Sequence, residues 1–565
     1  MRVFRWRAAV TTGLLVVLSS VLDAGPPPPA GAARPVQQES SGDAPSVMLP
    51  NTRTGPPARP ANGPFISHQV NVAYSGDNII GDAANEPSIA ADPRNPNRLV
   101  IGWRQFDAIE SNFRQAGVAF TRDGGRNWRS AGPLDPGVFR SDPVLRADGG
   151  GLVYYYSLTI RNDLYLCDLF RTSDAGASWT GPIEAYGGDK AWVAIDRTGG
   201  PGDRYFYAAW DWAGCCGNDV YTRSIDQGGT FLAPIPVPGI PAWGTLAIDP
   251  DGALYVAGNN NGDLATLMVA KSSNSQNGLI VPTWDFTRVV SLGGSQRYFL
   301  ASSPNPGGLL GQVWIAADHS DGPTRGNLYM LCSVNPPGPD PMDVMFARSE
   351  DGGQTWSAPV KVNSEPSGAN AWQWFATMGV APNGRIDVVW ADTLDMPSFR
   401  VSTLKYSFSS DAGVTWSAAV QIAPQFDSWL GWPNQNKLGD YYDIESDLVG
   451  AHLAYAATYN GEQDVYYLRI GDYDCNGNGV GDAGDIAGGS SQDANGNGIP
   501  DECECVGDVD GDLTIGQSDL GVLLAAYGSA AGEPAYDRWA DLDDSGAIDQ
   551  ADLGILLAAY GTACP

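Results

Sequence analysis

Five segments of this chain share one pattern, and a clear copy is Ser349-Glu-Asp351-Gly-Gly353-Gln-Thr355-Trp356. The others occupy residues 121–128, 172–179, 224–231 and 409–416, and a degenerate sixth begins at Ser272. In each full copy a carboxylate can accept turn N–H groups, a glycine supplies φ > 0, and an aromatic ring can pack against a neighbour. These segments, called Asp turns below, indicate a tight turn that recurs once in each unit of a repeat fold.

Each Asp turn lies within a unit of about four strand-like runs, in which apolar residues alternate and turn residues mark the ends. We place the first strands of seven units near the following residues: Ser88, Pro143, Trp192, Thr245, Tyr298, Phe375 and Tyr442. The last unit has three runs, and residues 65–74 can supply its missing outer strand, which removes exposed edges by closing a ring. The sequence therefore predicts a mainly β protein, a seven-bladed β-propeller.

The Asp turns resemble the Asp-box, or BNR, repeat of sialidase-like β-propellers. Catalytic sialidases have six blades, so a six-bladed ring is the alternative to the seven-bladed one. The resemblance covers residues 65–471, which we assign to the propeller domain.

The order of strands in a blade places all Asp turns at one end of the ring. The starts of the first strands and the connections between second and third strands lie at the opposite end, where they are expected to line a central funnel. The candidate funnel residues are Glu86, Asp142, Asp189, Lys190, Trp192, Trp243, Arg297, Tyr298, Trp374, Asp440 and Tyr441. On the same end we expect Cys167, Cys215, Cys216 and Cys332, and a long overhanging connection at 319–343.

Aromatic and acidic side chains with a few cations in a concave site suit carbohydrate, which offers apolar ring faces and a rim of hydroxyls. The expected ligand is an extracellular glycan or glycoprotein. The alternative for Trp192, Trp243 and Trp374 is that they only pack one blade against the next.

The sialidase resemblance also invites a test for catalysis. That family uses an arginine triad, a Tyr nucleophile paired with Glu, and an Asp acid/base. Arg104 and Arg114 lie before or near the first Asp turn, but the arginine-bearing motif of the family has no match there. Tyr441 or Tyr442 as nucleophile and Arg297 as carboxylate ligand are conceivable assignments. Enzymatic activity stays open, and the three histidines show no clustered spacing for a catalytic zinc.

The N-terminus indicates export. Basic residues precede an apolar run that ends near residue 22, which predicts a signal peptide over 1–24 with cleavage as late as 33. Residues 25–64 have the composition of a disordered Pro-rich linker. The run is short for a membrane span, and eight cysteines in an exported chain favour disulfides. We therefore expect a secreted or cell-surface protein with no membrane span after processing.

The C-terminal residues 472–564, called the acidic tail below, contain 19 of the 64 acidic residues and one basic residue, Arg538. Such a surface repels nucleic acid and suits divalent cations. Its first module, 472–504, contains two loops with oxygen ligands at the spacing of a Ca²⁺ site, and it resembles thrombospondin type 3 repeats. The candidate ligands are Asp474, Asn476, Asn478, Asp482, Asp485, Asp493, Asn495, Asn497, Asp501 and Glu504.

The second module, 505–565, is a duplication in which an acidic loop leads to a helix. The candidate ligands are Asp508, Asp510, Asp512, Asp519, Asp541, Asp543, Ser545, Asp549 and Asp552. Each helix has an apolar stripe, formed by Leu520, Leu523, Leu524 and Tyr527 in the first and by Leu553, Leu556, Leu557 and Tyr560 in the second. The module resembles a type I dockerin, an EF-hand pair. The resemblance implies that the two stripes pack on each other once calcium orders the loops.

Two features depart from the dockerin pattern. Leu513 stands where a calcium loop needs glycine, and Gly516 offers no side-chain ligand, so the first loop is expected to be the weaker. The residues at the cohesin-facing positions are Gln517-Ser518 and Gln550-Ala551 instead of Ser-Thr. The partner is therefore a cohesin-like protein or another surface protein.

The sequence favours a secreted, calcium-dependent protein whose propeller binds glycan and whose tail mediates attachment or assembly. The alternatives are a glycoside hydrolase acting in polysaccharide breakdown, sialidase-like or other, and a structural surface protein.

Overall fold

The computed structural model describes residues 53–564 except 131, 367–370, 495, 512–513, 534 and 544. The predicted signal peptide and most of the predicted linker lie outside these residues. The described part opens with short strands, β1 (Thr54–Gly55), β2 (Ala61–Asn62), β3 (Phe65–Gln69) and β4 (Asn78–Ile79). β1 and β2 fall within the range 25–64 of the predicted linker.

Seven antiparallel sheets follow one another along the chain, and each is one blade. The first three blades are β5 (Ala83–Ala91), β6 (Leu99–Phe106) and β7 (Gln115–Thr121); β8 (Ser141–Ala147), β9 (Val153–Arg161), β10 (Leu164–Thr172) and β11 (Thr180–Glu184); and β12 (Trp192–Ile195), β13 (Phe206–Ala209) and β14 (Tyr221–Ser224). The fourth blade is β15 (Pro241–Ala242), β16 (Leu246–Ile248), β17 (Leu254–Asn260), β18 (Asp263–Ser272) and β19 (Phe286–Val289).

The remaining blades are β20 (Trp314–Ala317), β21 (Leu328–Val334), β22 (Asp343–Ser349) and β23 (Val360–Lys361); β24 (Gln373–Val380), β25 (Ile386–Asp392), β26 (Val401–Ser409), β27 (Val420–Gln421) and β28 (Phe426–Asp427); and β29 (Asp443–Ser446), β30 (Gly450–Ala457) and β31 (Asp464–Gly471). Every residue of β6 and β30 is buried, because each middle strand is covered by a blade on both faces.

The ring closes as the sequence predicts. β3 pairs antiparallel with β31, with Ser67 opposite Leu468, so the N-terminal strand completes the seventh blade. This pairing leaves the last blade without an exposed edge at β31. The seven-bladed prediction is confirmed, and the six-bladed alternative is wrong.

The Asp turns have the hydrogen bonds that their sequence predicts. In the fifth blade, Ser349 Oγ donates to Asp351 Oδ1 at 2.8 Å and Thr355 N donates to the same oxygen at 2.9 Å. Trp356 Nε1 donates to the carbonyl of Gly353, whose φ is 85°. The carboxylate thus accepts hydrogen bonds from a backbone N–H and a side-chain hydroxyl of the turn that connects the third and fourth strands.

The glycine of each Asp turn also packs against the blade before it. A Cβ on Gly413 would lie 2.1 Å from the Phe346 ring, and one on Gly125 would lie 2.2 Å from the Tyr467 ring. Such a distance is impossible for a real Cβ, so glycine is required both by its positive φ and by this contact. The repeated turn is therefore part of the contact between blades.

The fifth blade differs from the prediction. Its first strand is β20, so Tyr298 lies in the connection before the blade and not near the start of a first strand. The connection expected at 319–343 is interrupted by β21, and Cys332 is buried within that strand. Because residues 290–313, which contain no regular strand, precede β20, alternation alone misplaced the start of the blade.

In its described residues the acidic tail contains three α-helices, α1 (Asp482–Gly488), α2 (Gln517–Ala526) and α3 (Gln550–Ala559), and two short 3-10 helices at Asp501–Cys503 and Arg538–Ala540. Leu523 and Leu556 are buried between α2 and α3, as predicted, whereas Leu524, Tyr527, Leu557 and Tyr560 are about half exposed. The prediction that the whole stripe is buried is therefore wrong for these four residues. Among the described residues, none forms a helix with the length and apolar character needed to cross a membrane.

Disulfides join Cys215 to Cys216, Cys475 to Cys503 and Cys505 to Cys564. The second links the two loops of the first module, and the third joins the ends of the second module. Cys167 and Cys332 are buried thiols.

Candidate functional site

The first strands of several blades begin with residues in the left-handed region. Glu86, Asp142, Lys190, Trp243 and Phe375 have φ values of 51°, 47°, 52°, 56° and 56°. The pairing register shifts at or beside the first, second and last of these positions. The same left-handed conformation therefore recurs where these first strands begin, at the funnel end of the ring.

Side chains from four blades meet at this end and form a buried ionic network. Lys190 Nζ lies 2.9 Å from Asp189 Oδ1, 3.0 Å from Asp440 Oδ2 and 3.5 Å from Asp142 Oδ2. A second cation continues the network, with Lys437 Nζ 2.7 Å from Asp440 Oδ2 and 3.2 Å from Glu86 Oε1. The ionic floor consists of Glu86, Arg104, Asp142, Asp189, Lys190, Lys437 and Asp440.

The carboxyl groups of the ionic floor differ in acidity. Burial raises the pKa of Glu86 to about 8, although Arg104 and Lys437 act in the opposite direction. Burial also raises the pKa of Asp440, but the cations Lys190 and Lys437 outweigh it and leave this pKa well below its usual range. The floor therefore combines a carboxyl group that is protonated near neutral pH with others that are ionised.

A row of aromatic side chains lies beside the ionic floor. Ring centroids are 5.8 Å apart for Trp212 and Trp243, 4.7 Å for Trp243 and Tyr298, and 4.8 Å for Tyr298 and Phe299. Tyr298 is 37% exposed and Phe299 is 56% exposed, whereas Trp243 is nearly buried. The four residues, called the aromatic row, offer two exposed rings supported by two tryptophans.

Two contacts connect the aromatic row to the ionic floor. Trp243 Nε1 donates to Asp211 Oδ2 at 3.1 Å, and the backbone N–H of Asp211 donates to the carbonyl of Asp189 at 3.1 Å. Burial raises the pKa of Asp211 to about 6, with a smaller opposing effect from Lys190. The disulfide Cys215–Cys216 follows Trp212 in the β13–β14 connection, which bonds back to Gly187 at the funnel.

Some predicted funnel residues are packed inside the protein. Trp192 and Tyr441 lie edge to face at 5.2 Å, and Trp192 packs likewise on Trp314 at 5.3 Å. Tyr441 donates its hydroxyl to the carbonyl of Pro143, and Trp374 donates to Ser402 Oγ. Since Trp192, Tyr441 and Trp374 are each less than 5% exposed, they lack the free ring face that a sugar needs.

The other predicted residues lie in or beside the funnel. Asp189, Lys190 and Asp440 belong to the ionic floor, and Trp243 and Tyr298 belong to the aromatic row. Arg297 is half-buried and donates to Asn335 Oδ1 at 2.5 Å.

Sequence reasoning missed several members of the site. Asp211 and Trp212 directly follow the second strand of their blade, in a connection that topology assigns to the funnel end. Lys437 lies three residues before Asp440, and that spacing gives no sign of an ion pair. Phe299 follows Tyr298 and was assigned to the interior of a first strand, because the start of the fifth blade was misplaced.

A cavity of about 420 Å³ lies at the Asp-turn ends of the first strands. Its walls are mainly apolar residues of β12, β16, β20 and β24, and Arg146, Arg197, His319 and Glu445 also line it. Trp192 and Trp314, which also line it, lie at the centre of the ring. These two rings belong to the third and fifth blades and lie 5.3 Å apart, so side chains of non-neighbouring blades meet there.

Three loops of the acidic tail share one backbone conformation. At the sixth position of three loops, Gly479, Gly498 and Gly546 have φ values of 83°, 81° and 81°. The first residue of each loop accepts the N–H of the fifth and sixth residues, as Asp541 does from Ser545 at 3.0 Å and Gly546 at 2.8 Å. This is the sharp turn that a calcium loop requires.

Carboxylates converge in both loops of the second module. Oxygen atoms of Asp508, Asp510 and Asp519 lie within 4.8 Å of one another, as do those of Asp541, Asp543 and Asp552. This hard oxygen set fits Ca²⁺. Asp549 accepts the N–H of Ala551 and so begins α3, and Ser545 Oγ donates to the carbonyl of Ala547. Among the predicted ligands, Asp512 and Asn495 lie outside the described residues, as does Leu513.

In the first module, predicted ligands also face one another. Asn476 and Asn478 donate to Asp485 Oδ2 at 3.2 and 2.9 Å, and Cys475 N donates to Asp482 Oδ1 at 2.8 Å. In its second loop, Asp493 accepts N–H groups of Asn497 and Gly498, Asp501 accepts that of Ala494, and Asn497 contacts Glu504.

The chain matches no family model and no curated protein. Solved structures with a similar backbone trace include a protein of unknown function from Dyadobacter fermentans. It is 13% identical with a TM-score of 0.41, and the alignment covers 72% of this chain and 97% of that one. Phage phi92 endosialidase has 10% identity and a TM-score of 0.40, covering 73% and 69%. A GH74 xyloglucanase from Xanthomonas campestris has 15% identity and a TM-score of 0.38, covering 71% and 56%. At these scores the likenesses carry no argument about function, and the fold rests on the strand pairing above.

Proposed function

We propose that this protein is an exported glycan-binding propeller whose ligand site is the funnel. The observation that carries the proposal is the aromatic row beside the ionic floor. Exposed rings can stack on the apolar face of a sugar, and the adjacent charged groups can bond its hydroxyls. The three disulfides support export, because disulfides persist in oxidising compartments.

The charge of the funnel favours a neutral or amino sugar over an acidic one. With Glu86 protonated near neutral pH, the carboxylates of Asp142, Asp189, Asp211 and Asp440 still outnumber the cations of Arg104, Lys190 and Lys437 by one. An excess of negative charge repels the carboxylate of a sialic acid. We therefore propose neutral extracellular polysaccharide or glycoprotein glycan as the ligand class.

Binding to a glycan array is the test, with matched variants. Tyr298→Ala removes an exposed ring of the aromatic row, and Phe408→Ala removes a ring of nearly equal exposure, 38%, from β26. Tyr298→Ala should weaken binding about tenfold or more, in the range of a lost stacking contact, while Phe408→Ala should not. Equal behaviour of the two variants, or a preference for sialylated glycans, would contradict the proposal.

A glycoside hydrolase is the second candidate, and the acidity of the funnel favours it. A carboxyl group with a raised pKa can serve as a general acid. Asp211, with its pKa raised to about 6, is the candidate acid, and Asp189 is the candidate base because it is partly exposed. Turnover of chromogenic glycosides that is lost in Asp211→Asn and Asp189→Asn would establish this function, and absence of turnover with retained glycan binding would exclude it for those substrates.

We also propose that the acidic tail binds calcium and attaches the protein to a surface partner, cohesin-like or other. The converging carboxylates and the three left-handed glycines support the calcium part. In such loops the ion would order the backbone, with Asp508, Asp510 and Asp519 or Asp541, Asp543 and Asp552 among its ligands. The half-exposed Leu524, Tyr527, Leu557 and Tyr560 support the attachment part, since they form an apolar surface duplicated on α2 and α3.

A further inference from the structure

The first Asp turn differs in sequence from the other four. It reads Thr121-Arg122-Asp-Gly-Gly-Arg126-Asn-Trp128 and is followed by Arg129, whereas residues 172–180, 224–232, 349–357 and 409–417 contain no arginine. Arginine is not needed for the turn, because the other copies form the same hydrogen bonds without it. The three arginines therefore have a role outside the turn.

All three arginines contact the acidic tail. Arg122 Nη1 lies 3.4 Å from Asp508 Oδ2, and Arg126 Nη2 lies 3.0 Å from Asp482 Oδ2. Arg129 donates to the carbonyls of Val509 and Asp508 at 2.8 and 3.2 Å.

Aromatic side chains of the tail complete this contact. The guanidinium of Arg126 lies 3.8 Å from the ring centroid of Tyr473, and that of Arg129 lies 4.1 Å from the ring centroid of Trp539. Trp539 also donates to the carbonyl of Tyr74 at 3.3 Å. The first blade and the tail thus share a surface held by ion pairs, hydrogen bonds and cation–π contacts.

Two of these arginines occupy carboxylates that the calcium proposal needs. Asp508 is the first residue of a loop in the second module, and Asp482 is the ninth residue of a loop in the first module. Their side chains are 5% and 2% exposed, and one oxygen of each already faces an arginine. One turn of the propeller therefore contacts one predicted calcium ligand in each module.

We propose that calcium and the first Asp turn compete for these carboxylates, so that calcium binding releases the acidic tail from the propeller. This inference rests on the proposed calcium binding of the tail. Calcium lowers the negative charge of the tail and places a second cation beside each arginine, which weakens the ion pairs. By linkage, the arginines must weaken calcium binding by the same factor by which calcium weakens docking.

The test uses the full chain and the double variant Arg122→Gln/Arg126→Gln. Glutamine keeps a polar side chain and removes the charge. The double variant also loses the bonds from Arg126 to the carbonyl of Asp123 and from Arg122 to the carbonyl of Asp174, so its thermal stability is measured alongside. The matched control is Arg348→Gln, which removes an arginine beside the Asp turn of the fifth blade, where it pairs with Glu350. Calcium affinity is measured by calorimetry, and the radius of gyration by X-ray scattering, each starting from metal-free protein.

The double variant should bind calcium roughly fivefold more tightly than the unaltered chain, the low end of couplings between sites, and Arg348→Gln should not. Without calcium its radius of gyration should exceed that of the unaltered chain. Calcium should expand the unaltered chain and the control.

Three results would overturn the inference. Equal calcium affinity in all three proteins, or weaker affinity in the double variant, would show that the arginines do not compete. If the double variant has the larger radius of gyration but calorimetry detects no calcium binding in any of the three proteins, both the calcium proposal and the competition are rejected. Only the contact between the arginines and the acidic tail would then be supported. A radius of gyration unaffected by calcium in a chain that binds calcium would reject release alone.

Discussion

Gly413→Ala tests whether the Asp turn holds neighbouring blades together. Gly413 has a φ of 76°, and an alanine Cβ would lie 2.1 Å from Cε1 of Phe346 in the preceding blade. A left-handed alanine costs about 1–2 kcal/mol, and overpacking a filled contact costs about 1–3 kcal/mol more. We expect a loss of about 2–5 kcal/mol in the free energy of unfolding.

Gly461→Ala is the matched control. Gly461 has a φ of 85°, but nothing lies within 4 Å of its Cβ position, so this variant reports backbone strain alone. Its loss should stay near 1–2 kcal/mol. The difference between the two variants therefore measures the contact with Phe346.

Urea denaturation followed by tryptophan fluorescence measures both losses. Phe346→Leu replaces the ring that the new methyl group would meet with a smaller side chain. The double variant Gly413→Ala/Phe346→Leu should therefore lose less stability than the sum of the losses of the two single variants. Equal losses for Gly413→Ala and Gly461→Ala, together with additivity in the double variant, would refute a structural role of this contact.

Other predictions concern the ionic floor, the ring closure and the calcium loops. Burial raises the pKa of Glu86 to about 8, whereas the ordinary pKa of a glutamate is about 4.3. Between these two pH values the folded protein holds a proton on Glu86 that the unfolded chain releases. The free energy of unfolding should therefore fall as pH rises toward 8, and denaturation of Glu86→Gln from pH 5 to 9 should lack this slope. Deleting residues 1–69 leaves β31 as an exposed edge, so this variant should have a lower melting temperature by calorimetry and should aggregate in gel filtration. Deletion of residues 1–52, which keeps β3, should cause neither change. Asp541→Ala should remove the tighter calcium event of the second module and Asp508→Ala the weaker, because Leu513 and Gly516 weaken the first loop; calorimetry showing the reverse order would refute this reasoning.

The sequence alone identified the repeat, the number of blades and the strand that closes the ring. These features depend on interactions within a few residues, such as the bonds from Ser349 and Thr355 to Asp351, and on apolar alternation that repeats in every blade. The fifth blade was the exception, because a long irregular connection precedes β20 and contains Tyr298.

The funnel could be predicted in outline, because strand order assigns the starts of first strands to one end of the ring. The sequence alone did not separate exposed rings from buried ones. Trp192 and Tyr298 occupy similar positions in the pattern, yet one packs against Trp314 at the centre of the ring and the other remains exposed.

Only the tertiary structure decided which charges meet. Glu86 and Lys437 are far apart in sequence and come within 3.2 Å because ring closure places the first and last blades side by side. The same holds for Arg122 and Asp508, which meet because the acidic tail packs against the first blade. Local hydrogen bonding and periodicity define turns and strands, whereas contacts between distant segments depend on how the closed ring positions its ends.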